Sequence, residues 1–333
     1  MNVIFFGTPQ FAQPTLEKLL DDPRFTVQAV VTQPDKRRGR GKQLSPSPIK
    51  QVAIAHQLPV WQPARIKKDA ETIEKLQQAN ADVFVVVAYG QILSQEILDL
   101  PRYGCINVHG SLLPAYRGAA PIQWSLYNGD TVTGIATMQM EAGMDTGPVL
   151  LDRELEVGLL ETAHDLAIEL SQAGAELLIE TLLQIETLQP KPQDESLATY
   201  APLIQKADYV IDWTKPAIAI HNQVRGFYPN CTATIRDRAV KLIATVPLGS
   251  AYWDRLPESL QGLQQTWISW QAAAREASPG EVVALVKGHG PVVKTGEDLL
   301  LLHSIKPAGK RAQSGWDFAN GLRLEVGEIF ESG

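Results

Sequence analysis

Short runs of consecutive apolar residues set the rhythm of the first half of the chain. Val3-Ile4-Phe5-Phe6, Val27 to Thr32 and Val83 to Ala88 show no polar alternation, the pattern of strands buried on both faces of a parallel sheet. Cys105 to His109 and Gly134 to Met140 read as further strands. Between them lie helical patterns, from Phe11 to Leu20 and from Glu161 to Leu188. The second carries Leu166, Ile168, Leu170, Leu177, Leu178 and Leu182 at helical spacing. This alternation predicts an α/β doubly wound domain over residues 1–189, a fold that binds its ligands at the carboxyl ends of the strands.

The pattern changes after Leu188. Gln-Pro-Lys-Pro-Gln-Asp-Glu-Ser is polar and proline-punctuated, and residues 190–205 read as a linker. One helix is expected from Pro216 to Arg225. The rest of 206–333 is strand-like: Ala233-Thr234-Ile235, Val240 to Val246, Gly280 to Val286, Val292-Val293-Lys294 and Leu299 to His303. Short strands at this spacing predict a small β-barrel or sandwich. The segment from Gly249 to Arg275, with Trp253, Trp267 and Trp270, fits no periodic element and reads as a long insertion.

Composition agrees with two globular domains. The 333 residues are 44% hydrophobic and 20% charged, and no apolar run approaches the ~20 residues of a membrane span. The first residues read as a strand, not a signal peptide. Two cysteines, Cys105 and Cys231, make a reducing cytoplasm the default, and Cys105 reads as a thiol buried in its strand. A net charge of −7 argues at face value against a nucleic-acid partner. Divided along the chain, however, residues 206–333 are near neutral, and Lys36-Arg37-Arg38-Gly39-Arg40-Gly41-Lys42 concentrates five cations with no acid. Its glycines, and the prolines that follow, predict a loop that stays mobile until it meets a polyanion.

Candidate chemistry is concentrated in two places. The first βα turn, Gly7-Thr8-Pro9-Gln10-Phe11-Ala12, has one glycine where a dinucleotide site needs three, which disfavours such a cofactor. Asn107 and His109 stand two apart in a strand and share a face. An amide and an imidazole suit acyl transfer, since both can donate to a developing oxyanion and the ring can shuttle a proton. A buried Asn/His pair satisfied by neighbouring loops is an equal reading. Asp145, between Gly143 and Gly147, reads either as a carboxylate that orients His109 or as an ordinary loop aspartate. The remaining histidines, at 56, 164, 221, 289 and 303, are scattered, and no metal site is expected.

Asn107, His109, Ser111-Leu112-Leu113-Pro114 and Asp145 together resemble the catalytic pattern of the 10-formyltetrahydrofolate-dependent formyltransferases. The resemblance implies that Asn107 and His109 polarise a formyl group while Asp145 assists proton transfer. It also implies that Ser111, Leu112, Leu113 and Pro114, with Ala88, Tyr89, Gly90, Gln91 and Ile92, enclose the folate. Phe6 to Ala12, Tyr116 to Gln123, Met138 to Met140 and Lys306 to Arg311 extend it along nearly the whole chain, most closely to the methionyl-tRNA formyltransferases. That branch implies a Rossmann-like sheet followed by an oligonucleotide-binding-like barrel. It further implies 10-formyltetrahydrofolate as donor, initiator methionyl-tRNA as acceptor, and Arg40 as the main tRNA contact. Local charge adds Lys36, Arg37, Arg38 and Lys42 as candidates, the first three of which depart from the family pattern. Resemblance and charge together add Lys306, Lys310 and Arg311. A cytoplasmic monomer without a membrane partner is the accompanying expectation.

Overall fold

The computed structural model describes residues 1–38 and 43–333. They form two compact units, neither of them contiguous in sequence. One comprises Met1–Pro121, Val132–Leu155 and Ala167–Ala201; the other comprises Ile122–Thr131, Glu156–Leu166 and Pro202–Gly333.

The first unit is built on seven strands: β1 (Asn2–Gly7), β2 (Thr26–Val31), β3 (Val60–Trp61), β4 (Val83–Val87), β5 (Cys105–His109), β6 (Val132–Gln139) and β7 (Val149–Glu156). Their spatial order is β7-β6-β5-β4-β1-β2-β3. The core pairs β2–β3, β1–β2, β1–β4 and β4–β5 are parallel. β6 runs antiparallel to β5. This is the mostly parallel doubly wound sheet expected from the apolar runs. Side chains alternate between two cores: Ile4, Phe6, Ala29, Val31, Phe84 and Val86 pack with Ile66, Leu76 and Ile97, leaving Val3, Phe5 and Val85 to the opposite face. Strand order reverses beside β1, so the carboxyl ends of β1, β4 and β5 border the crevice where such sheets bind ligands.

Short elements escaped the sequence pattern. Lys36–Arg38 and Gln43–Ser45 pair antiparallel, so the flanks of the basic segment form a hairpin where a loop was expected. Residues 190–201, expected to belong to a linker, are held on the first unit. Lys191 bridges Val149, and Tyr200–Ala201 pairs parallel with Arg117–Gly118.

The second unit is an antiparallel sheet in which Val282–Val286, Gly290–Lys294, Leu299–Pro307, Arg238–Leu248, Thr232–Ile235 and Glu331–Ser332 follow one another in space. Its two ends are joined by the Glu281–Ile329 bridge and by hydrogen bonds of 2.8 Å from Phe330 N to Gly280 O and from Val282 N to Glu328 O. Closure removes the exposed sheet edges. Ile220, Val224 and Phe227, from and just beyond helix Ala217–Gly226, enter the core beside Leu242, Leu300 and Leu302.

The tryptophan-bearing segment is helical, contrary to the reading of a long insertion without regular elements. Trp253, Leu256, Leu260, Leu263 and Ala274 cover a second core with Val246, Leu248 and Leu301. Helix Gln264–Ala273 contributes no fully buried residue of its own; Trp267 and Trp270 pack partly, and the Trp267 indole donates to Leu248 O at 3.0 Å. No described helix is long and apolar enough to cross a membrane.

His221 sits in this unit with 2% of its surface exposed. Its Nε2 lies 2.7 Å from Leu159 O, which only accepts, so that nitrogen carries the proton and Nδ1 accepts from Thr245 Oγ1 at 2.9 Å. Burial pushes its pKa down to about 4, below the unfolded value of ~6.5. The unfolded chain therefore takes up the proton first, and this contribution to stability is lost as pH falls from the unfolded value toward the folded one. Urea unfolding at pH 7.5 and 5.0 should show that the wild type loses about 2 kcal/mol more than His221→Gln. Equal losses in the two proteins would remove this linkage.

Candidate active site

His109 ends β5, and Asn107 stands two positions earlier on the same face. They are 5% and 8% exposed. The strand is hydrogen-bonded on both sides, in register with Val86 at Asn107 and with Ala136 at His109, so the backbone that carries both side chains is fixed by the sheet. The Nε2 of His109 lies 3.0 Å from the Tyr116 carbonyl oxygen and must carry the hydrogen of that contact. The other ring nitrogen, Nδ1, is 3.7 Å from Asp145 Oδ2. That separation suits an ion pair and is too long for a hydrogen bond.

Asp145 reaches this position on a strained turn. Its φ is +53°, a left-handed conformation that is uncommon outside glycine. Gly147 follows; a Cβ there would stand 1.8 Å from the Gln139 carbonyl oxygen, so only glycine fits. The Asp145 carboxylate accepts a 2.8 Å hydrogen bond from the Gly118 N–H. The turn thus brings the carboxylate beside the His109 ring while tying it to the Gly118 main chain.

Three residues beside this turn were missed in the sequence reading. Arg117 has no exposed surface. Its guanidinium donates to Gln193 Oε1 at 2.9 Å and forks onto both oxygens of Glu195 at 2.9 and 2.8 Å. Glu195 holds the Arg117 pKa above its ordinary value, and Arg117 holds that of Glu195 below its own. Gln193 Nε2 donates to the carbonyls of Asp145 at 2.8 Å and Gly147 at 2.6 Å. Arg117 was visible within a motif, yet its partners lie 76 and 78 residues away and carry no local signal.

Of the residues expected to enclose a folate, several point elsewhere. The Ser111 hydroxyl donates to Ala115 O at 2.6 Å within its own loop, while Leu112, Leu113 and Pro114 are half-buried. The Tyr89 ring packs edge-on against Phe6 at 5.5 Å, and burial raises its phenol well above the usual range. The Gln91 amide is occupied by Ile66 N at 2.8 Å and Pro63 O at 3.0 Å. Ala88, Gly90 and Ile92 are exposed on the same loop. Cys105 is buried, with its thiol pushed up to about 12, and supplies no thiolate nucleophile. Among the described residues, no group of three or more His, Cys, Asp or Glu side chains is placed to hold a metal.

The basic residues fall into two groups. Lys36 is exposed on the hairpin; Arg37 and Arg38 lie on its backbone, and Arg40 and Lys42 are outside the described residues. The hairpin base is tied by Asp35, which accepts from Lys50 Nζ at 2.7 Å and from Gln62 Nε2 at 2.8 Å. These bonds, Lys50 first, hold the Asp35 carboxyl below its ordinary range. In the second unit Lys306, Lys310 and Arg311 are all exposed. Lys306 faces Lys241 across the sheet, a cation the sequence reading had not singled out.

A formyl transferase family model matches residues 1–182, and a formyl transferase C-terminal domain model matches 203–323. A protein of Trichormus variabilis named methionyl-tRNA formyltransferase is 61% identical, covering 100% of both chains. One of the same name from Trichodesmium erythraeum is 59% identical over 99% of this chain and 98% of its own. Among solved structures, WlaRD, a sugar 3N-formyl transferase crystallised with dTDP and 5-N-formyl-THF, shares the fold at TM-score 0.62 and 16% identity, covering 93% of this chain and 99% of that one. With both domain models matched in order and full-length identity near 60%, the chain belongs to the formyl transferase family, within the branch of the methionyl-tRNA formyltransferases.

Proposed function

We propose that this chain transfers the formyl group of 10-formyltetrahydrofolate to the α-amino group of initiator methionyl-tRNA. The observation that carries the reading is the approach of His109 Nδ1 to Asp145 Oδ2, 3.7 Å apart at the strand end that also bears Asn107. The neutral amine attacks the formyl carbon and the carbonyl electrons move onto the formyl oxygen. As that carbonyl re-forms, the bond to the folate N10 breaks, and N10 takes up one proton for the one the amine gives up, leaving tetrahydrofolate. The oxyanion is assigned to the Asn107 amide and the His109 ring beside it, with Asp145 holding that ring in orientation. The 5-N-formyl-THF in the crystals of WlaRD supports a folate donor; Ala88, Gly90, Ile92 and the Ser111 to Pro114 loop are the residues assigned to border it.

For the acceptor, the support is charge placement. In sequence, Lys36 to Lys42 follows β2, and Lys306, Lys310 and Arg311 are exposed in the barrel unit. A polyanion can engage both groups despite the net charge of −7. The acceptor places the reaction in the cytoplasm. Because Asn107, His109 and Asp145 come from one chain, a monomer suffices.

In a formylation assay with methionyl-tRNA and 10-formyltetrahydrofolate, Asn107→Ala and His109→Ala should each lower kcat by ~10²–10³ while the circular dichroism spectrum is retained. Near-wild-type turnover in either variant would overturn the site. Uncharged tRNA and nucleotide sugars should give no formylated product. A second expectation concerns the barrel patch. Lys306→Glu combined with Lys310→Glu should raise KM for methionyl-tRNA several-fold, leave KM for the folate unchanged, and make kcat/KM less salt-dependent by about one unit of log–log slope per lost phosphate contact. An unaltered salt slope would exclude these cations from the interface.

A further inference from the structure

We infer that Gln193 is a positioning residue for the transfer reaction, holding the Asp145 turn in its working geometry on behalf of the buried Arg117 guanidinium. The inference rests on the reading of Asp145 given above and extends it to a segment whose sequence reads as linker.

The connections form a closed circuit. Gln193 Nε2 spends its two hydrogens on the carbonyls of Asp145 and Gly147, which flank the left-handed turn at 2.8 and 2.6 Å. Its Oε1 accepts from Arg117 Nε at 2.9 Å. The residue after Arg117, Gly118, gives its N–H to the Asp145 carboxylate at 2.8 Å. Asp145 is thus gripped through its main chain by Gln193 and through its side chain by Gly118. The first grip is anchored on Arg117 through Gln193 Oε1 and the second comes from its neighbour Gly118, and together they fix the residue whose carboxylate faces His109.

The supports of this circuit are themselves fixed. Arg117 has no exposed surface, so its planar donors must be satisfied where they lie. The fork onto Glu195 does this and also sets the position of residue 193, two places earlier. Gly118, at φ +122°, lies so close to Ala201 that a Cβ would stand 2.7 Å from its carbonyl oxygen. The returning segment 193–201 is therefore pressed against the strand that feeds the active site. A glutamine suits position 193 because it offers two donors and one acceptor from a single planar amide. Glutamate keeps the acceptor for Arg117 and loses both donors.

Gln193 reaches Asp145 only through backbone oxygens, so its loss should act on the chemical step with little effect on substrate binding. Steady-state kinetics of Gln193→Ala and Gln193→Glu, each made alone and together with Asp145→Asn, test this. The expected result is a ~10- to 100-fold fall in kcat for both single variants, with KM for folate and for methionyl-tRNA within about threefold. In the Asp145→Asn background, the same changes should lower kcat by less than twofold further, because the group they position is already neutralised. If Gln193→Ala does not fold, as judged by circular dichroism, Gln193→Glu decides. A kcat within twofold of wild type in the folded variants overturns the inference, as does an undiminished loss in the Asp145→Asn background, which marks a purely structural role. Wild-type turnover in Asp145→Asn alone would overturn the site reading and this inference with it.

Discussion

A guanidinium shut off from water has to be neutralised where it lies, and Arg117 imposes that requirement on the whole of the active-site rim. Leaving such a charge unpaired inside a protein costs several kcal/mol. Its partners, Glu195 and Gln193, come from a proline-punctuated stretch that carries few apolar residues of its own. The electrostatic demand of one side chain thus adds to the backbone pairings at Lys191 and at Tyr200–Ala201 that hold residues 190–201 on the first unit. Glu195 remains 70% exposed, so the pair is desolvated on one side only and the carboxylate keeps part of its hydration. That asymmetry lowers the penalty of forming the pair while still fixing the segment.

The remainder of the site divides into rigid and adjustable parts. Asn107 and His109 stand on a strand paired to neighbours on both sides, inside a sheet whose central strands are apolar on both faces. Their separation follows from the two-residue repeat of the strand and needs no further support. Asp145 has no such scaffold. It occupies a left-handed turn, and its placement depends on hydrogen bonds from Gly118 and Gln193 together with a glycine at 147. A group proposed to act on His109 has to be held within fractions of an ångström. The bonds around the turn do what the sheet does for the histidine.

This division also explains what could be read from the amino-acid order. Consecutive apolar residues at 3–6 and 83–87 announce central strands, because burial on both faces leaves no room for alternation. Asn107 and His109 were legible for the same reason: strand periodicity is local. The distance between His109 and Asp145 was not, since nothing near either residue encodes it, and the Arg117 partners lie more than seventy residues away. Helix Gln264–Ala273 stayed hidden because it buries no continuous stripe and packs through parts of two indoles. The compact units escaped for a topological reason: Ile122–Thr131 and Glu156–Leu166 belong with the second unit although the first surrounds them in sequence.

Charge shows most plainly that placement outweighs totals. The acidic excess includes exposed Asp165, Glu169, Glu176 and Glu180 on one long helix, and Glu176 and Glu180 are partly absorbed by Arg153. Lys241 and Lys306 meanwhile stand directly opposite each other in the barrel sheet, a like-charge pairing that weakens a sheet rather than supporting it. Lys241 turns its ammonium onto Asn230 Oδ1 at 2.8 Å, while Lys306 stays in solvent beside Lys310 and Arg311. Folding gains nothing from placing Lys241 and Lys306 opposite each other. A phosphate backbone laid across them turns that mutual repulsion into attraction, so under the proposed reading the patch is a feature of the sheet that only the acceptor explains.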